Sequence, residues 1–82
     1  SIYPNPFKDS FTIDYSVKSV TDVTIAIYDT YGQLISTLQN QVKMNSGNHR
    51  FTFDASNLLT GVYFCKIETS DYSVVQRIIH SR

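Results

Sequence analysis

Asp22-Val23-Thr24-Ile25-Ala26-Ile27-Tyr28-Asp29-Thr30-Tyr31-Gly32-Gln33-Leu34-Ile35 is the stretch whose reading decides the fold class. Val23, Ile25 and Ile27 recur at every second position, with Asp22, Thr24 and Ala26 between them, which is the period of a strand with one buried face. Asp29-Thr30-Tyr31-Gly32 then interrupts the pattern before a second run from Gln33 to Leu38. An aspartate opening such a break and a glycine closing it fit a type I turn followed by a bulge residue at positive φ. The stretch therefore predicts a β-hairpin. Leu34, Ile35 and Leu38 would also suit one helical turn, but Ser36, Thr37 and the preceding turn favour a strand.

The same period extends outward in both directions. Phe11, Ile13 and Tyr15 alternate with Thr12, Asp14 and Ser16. Before them Pro4 and Pro6 remove two backbone donors and fix φ, so residues 1–8 read as a proline-rich lead-in and not as the middle of a sheet. Asn45-Ser46-Gly47-Asn48 forms a turn cluster leading into His49, Phe51 and Phe53, which alternate with Arg50, Thr52 and Asp54. Residues 54–60 are irregular, with Asp54 placed to accept from backbone amides two residues on and Leu58 to plug one end of the core. Gly61 frees the backbone before a strand from Val62 to Thr69. There Tyr63, Cys65 and Ile67 share one face, while Val62, Phe64 and Lys66 share the other. Both faces are largely apolar, as in a central strand. Ser70-Asp71 makes a tight turn into a last strand, Tyr72 to Ile79, whose Val74-Val75 and Ile78-Ile79 pairs leave the inward face undecided. Short strands at this spacing with no helical run predict an all-β fold, an antiparallel immunoglobulin-like β-sandwich of about seven strands. Residues 1–82 read as one domain. Phe11, Ile13, Ile25, Ile27, Phe51, Phe53, Tyr63, Cys65 and Ile67 are its expected core.

Composition narrows the function classes. A chain of 82 residues buries only roughly 60–65% of its unfolded surface, enough for one core but leaving little room for a deep pocket. Apolar residues at 41% and aromatics at 13% suit a globular domain. Seven basic and seven acidic residues cancel, so the basic stripe that nucleic acid would need is missing. No continuous apolar run is long enough to span a bilayer, so no membrane insertion of its own is expected. The start at Ser1, with no visible signal peptide, reads as a domain from the end of a longer protein. Cys65 is single and reads as a buried, unreactive thiol, and no Cys/His grouping has zinc spacing. His49 alternates with core aromatics, and His80 is expected at a frayed terminus. The carboxylates stand singly beside turns without a D-x-D-x-D-G loop, leaving only an incidental loop calcium open. No G-x-S-x-G elbow and no glycine-rich phosphate cradle occur. No enzyme activity and no cofactor are therefore expected. Tyr15 and Tyr63 fall on core faces. Tyr28, Tyr31 and Tyr72 lie near turns, where stacking on a sugar is the functional alternative to plain exposure.

Several landmarks fall in an order that carries a resemblance. They are Tyr3-Pro4-Asn5-Pro6-Phe7, the alternating strand from Phe11, Val23 to Tyr28 followed by Asp29 and Gly32, and Gly47 before a strand ending in Asp54. Leu58, Gly61-Val62-Tyr63-Phe64, Lys66-Ile67 and Arg77 before Ile78-Ile79 complete them. End to end, the chain resembles the type A C-terminal sorting domain of cargo exported by the type IX (Por) secretion system. The resemblance implies a seven-stranded immunoglobulin-like sandwich fused behind an N-terminal cargo. Its implied partners are the type IX translocon and a sortase-like protease. The implied route runs through the periplasm to the outer-membrane surface or the extracellular space, with removal upstream of this chain and attachment of the cargo to anionic lipopolysaccharide. Phe53-Asp54 stands where many members carry Trp-Asp, a change that keeps the bulk. Pro4, Asn5, Pro6, Gly32, Gly61, Tyr63, Lys66, Arg77, Ile78 and Ile79 are the candidate recognition and structural residues. An edge strand within Gly61 to Ile79 is the natural place for a receptor strand to pair. The alternative from another class is an immunoglobulin-like accessory or adhesive module, similar to the flagellar-hook capping type, that binds protein or carbohydrate.

Overall fold

Seven strands follow one another with no helix between them: β1 (Ile2–Tyr3), β2 (Ser10–Val17), β3 (Thr21–Tyr28), β4 (Leu34–Met44), β5 (Gly47–Asp54), β6 (Gly61–Glu68) and β7 (Ser73–His80). The computed structural model describes every residue from Ser1 to Arg82. All pairings between these strands are antiparallel and make two sheets, one in the order β1-β2-β5 and one in the order β4-β3-β6-β7. This is the β-sandwich expected from the alternation, and no helix is long and apolar enough to cross a membrane.

The hairpin at residues 28–34 closes as its residue types require. Gly32 takes φ +82°, its N–H donates to the Asp29 carbonyl at 3.1 Å, and the Asp29 carboxylate accepts from the amides of Tyr31 and Gln33, both at 2.9 Å. Alanine at φ near +80° is strained by its Cβ, so glycine is the residue that fits. Gly61 likewise sits at φ +149° with open space where a Cβ would be, so backbone conformation and not close approach explains it.

Phe11, Ile13, Ile25, Ile27, Tyr63, Cys65 and Ile67 lie in the core. Phe51 and Phe53 are only half-buried and pack on its margin, because β5 has a neighbour on one side alone. Three further differences have local causes. β4 runs on to Met44, beyond the expected stop at Leu38, because irregular register shifts against β3 break the hydrophobic alternation that would have revealed it. Residues 1–8 do more than lead in: β1 pairs with β2, and Ile2 and Phe7 are core residues, with Phe7 fully buried. The inward face of β7 is that of Ile78 and His80, both buried, while Val74 and Val75 stay exposed. His80 is thus packed within the fold and not at a frayed end.

Candidate recognition surface

The N-terminal motif and the last strand, more than seventy residues apart in sequence, meet at one edge of the larger sheet. All of β7 lies opposite β6, but its residues alternate in direction: every second one spends its backbone groups on β6, and Arg77 and Ile79, in the positions between, turn theirs outward. Asn5 fills that gap with its side chain. Its Nδ2 donates to the Arg77 carbonyl at 2.9 Å and its Oδ1 accepts from the Ile79 amide at 3.0 Å. A single carboxamide thereby does what a neighbouring peptide unit would do. The flanking Pro4 and Pro6 have no N–H to leave unsatisfied beside it.

Phe7 continues the clasp with its backbone. Its N–H donates to the Ile79 carbonyl and its carbonyl accepts from Ser81, both at 2.9 Å, forming a parallel bridge to His80. The Phe7 ring packs edge-on against Phe11 at 4.9 Å and stacks on the His80 imidazole at 4.8 Å. His80 Nε2 lies 2.6 Å from the Lys8 carbonyl oxygen, and Nδ1 lies 3.2 Å from that of Leu59. The Leu59 carbonyl also accepts from the Tyr63 hydroxyl at 2.6 Å. Tyr63 is therefore a core residue whose polar tip ties the 54–60 loop to β6.

Among the candidate residues, Pro4, Asn5, Pro6, Arg77 and Ile79 come together at this edge. Ile78 points into the core and is fully buried. Lys66 lies on the outer face of β6, opposite Val75 and 4.0 Å from Glu68, while Phe64 stands opposite Arg77 and Val62 opposite Ile79. This outer face mixes apolar side chains with two cations. Gly32 is in the β3–β4 hairpin and shapes the turn alone. Phe7 and His80 escaped the sequence reading as parts of the clasp. The available signals were an aromatic immediately after Pro6 and a histidine two residues after Ile78, in phase with it.

On the smaller sheet Asp14 accepts from Arg50 Nε at 2.9 Å and from the Tyr3 hydroxyl at 2.8 Å. The Arg50 bond first, and the Tyr3 bond second, hold the Asp14 carboxyl below its ordinary range. Asp54 is held low by the Ser56 amide two residues on, the turn-capping role expected of it. Burial pushes the Cys65 thiol up to about 12, so it stays an unreactive thiol. No group of three His, Cys, Asp or Glu side chains is placed to hold a metal ion.

Residues 1–81 match the family described as the secretion system C-terminal sorting domain. No curated protein matches the chain.

Proposed function

The chain belongs to the type IX secretion C-terminal sorting domain family, and from that membership we propose that the clasped β7 edge and the outer face beside it are the surface its translocon reads. The family signals export of an attached N-terminal cargo to the cell surface or extracellular space, and its members are non-catalytic in general. After passage a sortase-like cysteine protease removes the domain and joins the new cargo terminus to surface lipopolysaccharide.

The observation that carries the reading is the Asn5 bridge to Arg77 and Ile79. It makes the N-terminal motif and the last strand one surface, so a receptor meets both together and meets them only in a folded domain. Lys66 and Arg77 supply charge on that surface, and Phe64 and Val62 supply apolar contact. Gly32, Gly61, Tyr63 and Ile78 act by holding the sandwich. The test is a panel of outward substitutions, Lys66→Glu, Arg77→Glu and Phe64→Ser, in a domain fused behind a reporter, each checked by thermal melting. Folded variants should lose export at this surface, whereas the same changes at Lys18 or Thr12 should not. Normal export across the whole panel would remove the surface from consideration.

A further inference from the structure

Strands β1, β4, β5 and β7 each have an edge with no neighbour. A free row of N–H and C=O groups is a template for another chain, and folded proteins blunt such rows. Here β1 is two residues long, β4 is broken by register shifts, and β7 is clasped by Asn5 and Phe7 over its second half. β5 carries none of these devices. Its eight residues pair with β2 without a shift and leave the other side open along their whole length.

The direction of its free groups follows from β2. Asp14 exchanges backbone bonds with Ser1 on the β1 side, so Phe11, Ile13 and Tyr15 turn toward β5 and bond Phe53, Phe51 and His49. The Ala55 amide donates to the Asp9 carbonyl in the same phase. Asn48, Arg50, Thr52 and Asp54 therefore present the open backbone groups, and their side chains lie on the outer face of the sheet.

We infer that β5 is the docking edge for a second copy of this chain, pairing antiparallel with its counterpart about a two-fold axis at Thr52. In that register Thr52 exchanges two backbone bonds with the other Thr52, at a Cα separation of about 5.5 Å. Arg50 of each copy then stands directly opposite Asp54 of the other, so both flanking pairs are of opposite charge. A one-residue slip toward either end loses this match, because the open groups no longer face each other. On the inner face Phe51 of each copy meets Phe53 of the other in the closer, non-hydrogen-bonded positions. These are the two aromatics left half-buried at the margin of the core. Backbone, charge and aromatic contacts are thus satisfied by one symmetry operation, as an isologous interface requires. The three strands of one small sheet run on into the three of the other.

Sedimentation equilibrium of the 82-residue chain tests this, with circular dichroism melting on the same samples. The wild type should form a reversible dimer of the 9.4 kDa chain. Thr52→Pro removes the central open donor and leaves the backbone bonds to β2 in place, giving up only the Thr12–Thr52 hydroxyl contact at 3.1 Å. It should weaken association by about tenfold or more. Thr52→Val is the control that loses the hydroxyl contact alone, and it should still associate like wild type. Arg50→Glu and Asp54→Lys each place like charges opposite one another twice, and each alone should weaken the dimer by a similar factor. Because Arg50→Glu also faces Asp14 in its own chain, the comparison is made at a temperature where melting shows every variant folded. Mixed in equal amounts they make two complementary pairs, and the heterodimer should recover to within about threefold of wild type. A chain monomeric up to about 1 mM, a Thr52→Pro dimer as tight as wild type, or a mixture no tighter than its components would each overturn the inference.

Discussion

Replacing Asn5 by alanine removes one donor and one acceptor from the β7 edge and changes nothing in the core, since the Asn5 side chain lies at the surface. An intramolecular hydrogen bond of this kind contributes about 0.5–1.5 kcal/mol net, giving roughly 1–3 kcal/mol for two. Water can reach the freed Arg77 carbonyl and Ile79 amide, which places the expected loss in the lower half, at about 1–2 kcal/mol. For a domain of this size that lowers the melting temperature by roughly 5–15 °C. Calorimetry of the domain measures the shift, and amide exchange at Ile79 measures its location, because that N–H loses its acceptor. Asn5→Asp separates the two bonds. The aspartate still accepts from Ile79 but turns a carboxylate oxygen toward the Arg77 carbonyl, so near neutral pH it should be at least as damaging as alanine. If both variants melt within about 2 °C of wild type, the clasp has no energetic weight. If Asn5→Asp alone matches wild type, the bond donated to Arg77 is wrongly assigned.

Tyr63→Ala empties a buried aromatic site and takes the hydroxyl donor from the Leu59 carbonyl, and should destabilise by about 3–5 kcal/mol in chemical denaturation; a loss under about 1 kcal/mol would mean the side chain faces solvent. Gly32→Ala meets no atom within 4 Å, so its whole effect is the positive φ, about 1–2 kcal/mol by the same assay. Stability should also fall in acid. The Asp14 carboxyl is held below its ordinary value of 3.8 by Arg50 and then Tyr3, so its contribution is complete above that value and is lost as pH drops through the lower folded value. Asp14→Asn should therefore melt lower than wild type at neutral pH and show a shallower decline below about pH 4, and parallel pH profiles would contradict it.

What the sequence made legible was set by period. β2, β5 and β6 alternate in burial along their length, and β3 does so apart from Ala26, which is buried between Ile25 and Ile27. Phe11, Ile13, Ile25, Ile27, Tyr63, Cys65 and Ile67 could be assigned to the core from that period. β4 resisted because a bulge shifts the side-chain phase by one, so Gln39 turns inward toward Tyr15 while Val42 is exposed. β7 resisted because paired valines and isoleucines satisfy either phase, and only packing against Phe7 fixes it. The candidate recognition surface was half legible. The prolines, Asn5 and the Arg77-Ile78-Ile79 segment stood out as separate signals. That Asn5 bonds the backbone of that segment is a contact across the whole chain, which no local pattern encodes.

The sorting role is most directly tested by transplanting residues 1–82 behind a passive reporter that is delivered to the periplasm of a host with a working type IX system. The fraction of reporter at the surface and in the medium is then measured beside the same fusion in a host lacking the translocon. A sorting signal moves most of the reporter out of the first host and leaves it in the periplasm of the second. Retention of a folded fusion in the periplasm of both hosts, or equal release from both, would contradict the assignment of this domain as the export signal.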